Sequence, residues 1–333
     1  MIKKGAKLSE KIFKRDIERV ATRDGYGEGL VIAGEKDENV IVLCADVTKP
    51  TRSHLFQDKF PKRFIEVGVA EQALATIASG MANYGKIPFI SSFAMFSPGR
   101  NWEQIRTTIA LNDVPVKIGG SHAGINVGPD GATHQALEDI AIMRAIPNMI
   151  VIVPGDVVET KKAVVEAAGN GKPTYIRFAR EKSPVFTTDK TPFKIGRADI
   201  LWQAKDSQVA IIACGPLVYE ALLAAKKLES TGIGVLIINS HTIKPIDEQV
   251  IIRAAKITGA MVTIEEHQIT GGLGGAVAEV LAKNFPVPIE FIGMPDKFGE
   301  SGQSNELLEK YGMKAVNIVK AAKKAIKRKK DGE

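Results

Sequence analysis

The stretch that most constrains the fold is Phe64 to Phe96, FIEVGVAEQALATIASGMANYGKIPFISSFAMF. An apolar opening, Phe64 to Val69, delivers Glu71 to the first turn of a helix rich in alanine and other small residues, which ends near Gly85. A second apolar run, Ile87 to Ser92, carries Phe93 and Phe96 to its far end. Strand, helix and strand make a βαβ unit, and such units place loops and helix starts at the carboxyl edge of a parallel sheet, where ligands bind. One acid and two aromatic rings thus arrive at the same edge. Taken singly, each has an ordinary reading. A glutamate in a first turn complements the helix dipole, and phenylalanines three apart pack a core as readily as they line a site.

The alternation extends along the chain. It predicts a helix from Thr22 to about Glu35, a buried strand Asn39 to Ala45 ending at Asp46, and a helix near Trp102 to Leu111. A strand at Val114 to Gly119, a short helix from Gln135, a strand at Met149 to Val153, a helix at Asp156 to Ala168 and a strand at Thr174 to Phe178 follow. A polar connection around Pro184 and Pro192 then gives way to a second strand–helix alternation from Val209 to a long final helix. The expected fold is α/β: two doubly wound domains with mostly parallel sheets, residues 1–186 and 208–333, joined by a linker at 187–207.

Composition removes several classes of function. The 333 residues suffice for two cores, and 44% hydrophobic with 25% charged residues describes a soluble globular chain. Cys44 and Cys214 lie far apart in apolar runs, the pattern of buried thiols in a reducing cytoplasm. The start, MIKKGAKLSEKIFKRD, has no apolar core of a signal peptide, and no run has the length of a membrane span. The net charge of +7 gathers in Lys3 to Arg19 and in the closing KAAKKAIKRKKDGE, without the interleaved aromatics of a nucleic-acid surface. The expectation is a cytoplasmic protein with no nucleic-acid or membrane partner.

Two phosphate-loop look-alikes fail. Gly80-MANY-Gly85-Lys86 has Ile87 where Ser or Thr must reach magnesium, and it lies between helix and strand instead of strand and helix. Gly271-Gly272-Leu273-Gly274-Gly275 departs from G-x-G-x-x-G because Val277 occupies the last position; it reads as a tight turn. The five histidines show no metal-ligand spacing, so no metal site is expected in this chain. The loop Ser121 to Gln135, SHAGINVGPDGATHQ, is different. At the end of a strand it holds His122, Asp130 and His134 between glycines, and can point several hydrogen-bonding groups into one cavity.

VGVAEQ followed by SSFAMF resembles the pyrimidine-binding domain of thiamine-diphosphate enzymes, the transketolase family in particular. SH-x-G-x-x-x-G-x-DG-x-THQ is similar to that family's substrate loop. The resemblance implies that Glu71 hydrogen-bonds a ring nitrogen of the cofactor's aminopyrimidine, with Phe93 and Phe96 against that ring and Asp46 near the thiazolium. It implies that His122 and His134 act on the sugar and its reacting carbonyl, that Asp130 binds a substrate hydroxyl, and that Arg23 and Arg180 hold the sugar phosphate. Thr51 stands where a phosphate-touching serine is found in relatives, and Gly99 where some carry a third aromatic.

The likeness covers nearly the whole chain but only the latter half of a full-length transketolase. The family's diphosphate-binding GDG motif is absent; Gly155-Asp156-Val157 is the nearest string. The resemblance therefore implies the C-terminal subunit of a split transketolase. A separate N-terminal subunit would hold Mg²⁺ or Ca²⁺ and the diphosphate, thiamine diphosphate would lie in a shared site, and two copies of each chain would assemble. The implied reaction is transfer of a two-carbon ketol unit from a ketose phosphate to an aldose phosphate, through an ylid of the cofactor. Similar enzymes of other function are deoxyxylulose-phosphate synthase and the β subunit of 2-oxoacid dehydrogenases; a non-catalytic interaction subunit is the reading from another class. Retention of Glu71 and both histidines speaks for the enzyme.

Overall fold

Apolar runs of five to eight residues separated by helices bury on both faces, and they assemble here into two mostly parallel sheets wrapped by helices. The computed structural model describes residues 1–332. The strands are β1 (Arg19–Ala21), β2 (Val40–Cys44), β3 (Phe64–Glu66), β4 (Ile87–Phe93), β5 (Lys117–Ser121), β6 (Ile150–Ile152), β7 (Thr174–Arg177), β8 (Lys182–Pro184), β9 (Asp199–Gln203), β10 (Ser207–Ala213), β11 (Gly234–Asn239), β12 (Thr242–Lys244), β13 (Met261–Gln268) and β14 (Ile289–Met294). The helices are α1 (Thr22–Lys36), α2 (His54–Lys59), α3 (Glu71–Asn83), α4 (Trp102–Gln104), α5 (Asp139–Arg144), α6 (Val157–Ala168), α7 (Val218–Glu229), α8 (Glu248–Thr258), α9 (Leu273–Asn284), α10 (Ser304–Lys310) and α11 (Ala315–Asp331).

The first sheet has the order β12-β6-β7-β5-β4-β2-β3 and the second β14-β13-β10-β11-β9. All pairs are parallel except β12 with β6 and β9 with β11. β1 and β8 form a separate antiparallel pair. Every residue of β2 and β5 is buried, as expected of central strands between helical layers. Mixed α/β architecture with mostly parallel sheets is what the alternation of runs implied.

Local differences have physical causes. The helix expected at Trp102 to Leu111 is a single α-turn that continues as a π-helix over Ile105–Ala110. β5 starts at Lys117, after Pro115, and runs on to Ser121. Lys117 is fully buried, burial pushes its pKa down to about 7, and its Nζ donates to Asn170 Oδ1 (2.7 Å) and the Lys172 carbonyl (2.6 Å). The helix read from Gln135 begins at Asp139 because the preceding residues continue the loop. Residues 199–203, read as linker, form β9 of the second sheet, whose Trp202 packs into the second core. β12, α10 and the β1–β8 pair had no signal in the periodicity.

The two sheets meet at a buried polar seam. Arg177 Nε donates to Asp139 Oδ2 at 2.8 Å, Tyr175 Oη donates to the same oxygen at 2.7 Å, and Arg177 Nη2 donates to the Ala136 and Glu266 carbonyls. Arg177 and Asp139 are both almost wholly buried, so each compensates the other's desolvation.

Candidate active site

The carboxyl edge of the first sheet brings the expected acid and rings together. β3 ends at Glu66, whose carboxylate accepts from the N–H groups of Asp46 (2.8 Å) and Gly68 (3.1 Å) and from Thr48 Oγ1 (2.8 Å). That lattice ties the loop after β2 to the approach to α3. Glu71 then opens α3, where its charge complements the helix dipole, yet it is 5% exposed, unusual for a carboxylate serving only that end. Arg100 Nη1 donates to Glu71 Oε1 at 3.1 Å, and Asn101 Nδ2 donates to the Glu71 carbonyl at 2.9 Å. Arg100 is half exposed, so this ion pair is screened and easily exchanged.

From Arg100 the contacts run on. Its guanidinium lies 4.1 Å from the Phe96 ring centre, and Phe96 stacks at 5.8 Å on Phe93. Phe93 stacks at 4.0 Å on His122, and the His134 ring meets Phe96 edge-on at 5.5 Å. Gly99 carries no third aromatic, and none could fit: a Cβ there would lie 1.8 Å from the Met95 carbonyl oxygen. The buried Ser92 Oγ and Asn101 Oδ1 have no hydrogen-bond partner. A buried acceptor, two offset rings and orphaned polar atoms fit a flat heteroaromatic ring bearing N–H groups.

His122 directly follows β5 in the left-handed region, φ +56°, where a non-glycine residue is strained. Its Nδ1 meets Ser121 Oγ at 2.7 Å. Burial, then the positive charges of Arg23 and Arg180, His134 and Arg52, push its pKa down to about 3, so the imidazole is neutral at pH 7. These arginines come from the start of α1, the loop before α2 and the segment after β7. Arg23 Nη1 donates to the Pro50 carbonyl at 3.1 Å while its buried Nε has no partner. Arg180 Nη1 donates to the Val127 carbonyl (3.0 Å) and to Asp130 Oδ1 (3.1 Å). His134 Nδ1 meets Thr133 Oγ1 at 3.0 Å.

Asp46 stands on the exposed turn after β2, φ +56°, its backbone held by Glu66 and its carboxylate outside the ring cluster's bonded contacts. Thr51 is fully buried, and its hydroxyl is spent within its own loop on Val47, Thr48 and Ser53. Three residues were not anticipated. Arg52, paired with Asp24 at 2.5 Å, joins the arginine group; Arg100 holds Glu71; and Glu266, from the second sheet, pins the histidine loop. Glu266 Oε1 and Oε2 accept from Asn126 N (2.6 Å) and Nδ2 (3.0 Å), and burial raises its pKa to about 7. A Cβ on Gly124 (φ +89°) would strike this carboxylate at 2.4 Å, so only glycine lets the loop lie so close. Arg52 and Arg100 stand in loops beside glycine or proline; Glu266, inside an apolar strand, gave no signal. Among the described residues no metal-ligating cluster lies at this edge.

Comparison with known proteins gives these positions a context. Residues 18–185 match the family described as Transketolase, pyrimidine binding domain, and residues 196–318 match Transketolase, C-terminal domain. A Methanocaldococcus jannaschii protein, named provisionally as a transketolase C-terminal section, is 46% identical over 92% of this chain and 96% of its own length. A 6-deoxy-6-sulfo-D-fructose transketolase subunit of Clostridium sp. (strain MSTE9) is 39% identical over 95% of this chain and 98% of its own. The solved structure of a split-gene transketolase, described as an inactive β4 tetramer, superposes with a TM-score of 0.87 at 44% identity, covering 93% of this chain and 99% of that one.

Proposed function

This chain belongs to the transketolase family, and from that premise we propose that it is the C-terminal, pyrimidine-binding subunit of a two-chain transketolase. With an N-terminal partner subunit it transfers a two-carbon ketol unit from a ketose phosphate to an aldose phosphate. The observation that carries the reading is the buried Glu71 at the start of α3, linked through Arg100 to the Phe96–Phe93–His122 stack and bordered by arginines. Thiamine diphosphate, when bound, supplies the electron sink for cleavage of the carbon–carbon bond.

The chain's own residues then have these roles. A Glu71 carboxyl oxygen shares a proton with a pyrimidine nitrogen, and Arg100 holds that oxygen until the ring takes its place. Phe93 and Phe96 would pack against the pyrimidine ring and keep water from it, and Asp46 would serve the thiazolium side. Neutral His122, with Nδ1 engaged by Ser121, offers Nε2 to a sugar oxygen, and His134 carries protons at the reacting carbonyl. Asp130 accepts from a substrate hydroxyl, which frees Arg180 to join Arg23 on the terminal anion, whose three oxygens suit guanidinium's fork of donors. A sulfonate in place of the phosphate, as the clostridial relative's name suggests for its sugar, would meet the same donors. The partner subunit would hold the diphosphate with Mg²⁺ or Ca²⁺, and two copies of each chain would form the assembly. The relative described as an inactive β4 tetramer supports the need for that partner.

The test is a coupled assay of two-carbon transfer from xylulose 5-phosphate to ribose 5-phosphate with Mg²⁺ and thiamine diphosphate, run on this chain alone and with an N-terminal subunit. Silence alone and turnover together is the expected result. Turnover by this chain alone would refute the split arrangement, and silence with the partner bound would refute the activity.

A further inference from the structure

Far from the cofactor edge, three donors remote in sequence converge where the domains meet. Glu159 lies in the first turn of α6, Asp199 opens β9, and His241 sits in the turn between β11 and β12. One ligand atom from each lies within 4.8 Å of the other two. His241 is wholly buried and its Nε2 has no hydrogen-bond partner; it faces Asp199 Oδ2, also without one, across 3.7 Å. That gap is too long for a hydrogen bond. It is close to the roughly 3.4 Å edge of a tetrahedron built with metal–ligand bonds of about 2.0–2.1 Å.

The surroundings hold the donors as outer ligands hold a metal site. His241 Nδ1 meets Thr242 Oγ1 at 3.0 Å, which turns Nε2 inward, and Phe193 covers the imidazole at 4.3 Å. Glu159 accepts from Gly155 N (2.6 Å) and Asn239 Nδ2 (2.8 Å), so its carboxylate is fixed while lone pairs remain. Asp156 adds a further buried negative charge beside it, already engaged by four donors. Of the two lysines whose charge reaches Asp199, Lys3 and Lys162, the latter spends its Nζ on the carbonyls of Thr188 and Thr191. Three carboxyl groups, of Asp156, Glu159 and Asp199, thus gather beside one unpartnered imidazole nitrogen, a donor set that a bound cation can engage.

We propose that Glu159, Asp199 and His241 form a divalent-metal site, with two carboxylate oxygens and one imidazole nitrogen, that joins the two domains. One nitrogen with two oxygens, plus a water, suits Zn²⁺ better than Mg²⁺ or Ca²⁺, which take oxygens. The role is structural, because the donors come from α6 on one side and from β9 and the β11–β12 turn on the other. The proposal is independent of the transketolase reaction.

Untagged protein is stripped with chelator, exposed to two equivalents of Zn²⁺, passed through a desalting column and analysed for metal by mass spectrometry, with a thermal melt alongside. One zinc per chain and a melt raised by several degrees are expected. Asp199→Asn, the least buried of the three and so the gentlest change, should retain less than a tenth of the zinc and lose the thermal shift while its circular dichroism stays unchanged. Co²⁺ in place of zinc should give a visible band in the parent that Asp199→Asn lacks. A parent that leaves the column without metal overturns the proposal, as does an Asp199→Asn protein that binds zinc as well as the parent.

Discussion

The two sheets share an architecture and use their carboxyl edges in opposite ways. At the first edge, charged and aromatic groups stand with bonds to spare: Glu71 holds only an exchangeable arginine, Arg23 Nε and Ser92 Oγ have no partner, and His122 is strained. At the second edge the two acids near the end of β13 are consumed by the fold. Glu265 accepts from the N–H groups of Leu273 and Gly274 and caps α9, the turn that imitates a dinucleotide motif, while Glu266 clamps Asn126. A carboxylate at a strand end is therefore not evidence of chemistry by itself. What distinguishes a site is unspent hydrogen-bonding capacity beside a space that another molecule can fill.

The contrast can be broken by mutation. Glu71→Gln should lower turnover of the assembled enzyme by roughly two to four orders of magnitude with the same melting temperature; a normal rate would place Glu71 with the structural acids. Arg177→Ala, at the seam, should cost about 3–5 kcal/mol of stability, because Asp139 is left buried and unpaired. Urea unfolding measures this. Arg23→Ala or Arg180→Ala should raise KM for an anionic sugar roughly 10- to 150-fold, the loss of one charged hydrogen bond worth about 1.5–3 kcal/mol, and should leave KM for the sugar without its anion unchanged. Glu265→Gln should cost about 1–2 kcal/mol through the α9 cap and leave KM alone.

The smallest effect is a flat line. His122 has its pKa lowered from 6.5 to about 3, so its imidazole resonances should not titrate between pH 5 and 8 in the folded chain. Over the window from 6.5 down to 3 the unfolded chain binds a proton at this residue that the folded chain does not. His122 therefore lowers stability as pH falls through that window. A midpoint near 6.5 in the folded protein would show that the ring is not buried beside those arginines.

Much of this was legible in the residues. Runs such as NVIVLCA and IPFISSF announced parallel strands, and Glu71, Phe93, Phe96, His122 and His134 stood where a βαβ unit delivers side chains to one edge. What the sequence hid depends on distant pairing. β9 lies in a polar stretch because it is an edge strand with one neighbour, and three residues of β12 are too few to show a period. Thr51 looked available in sequence, and only the loop's own hydrogen bonds show that its hydroxyl is spent. Glu159, Asp199 and His241 lie too far apart along the chain for any spacing rule to unite them.

β12 has a consequence for how the chain is made. It comes after three strands of the second sheet, yet it closes the rim of the first, with Thr242 opposite Ile152 and Lys244 opposite Val151. Lys244 fastens it further by donating to the carbonyls of Arg144 and Ile146. A growing polypeptide must therefore leave the ribosome as far as residue 244 before its amino-terminal half has a finished border. Until then β6 presents a bare row of donors and acceptors on which another nascent chain could pair. A chain cut between the two halves would leave β6 without that partner strand.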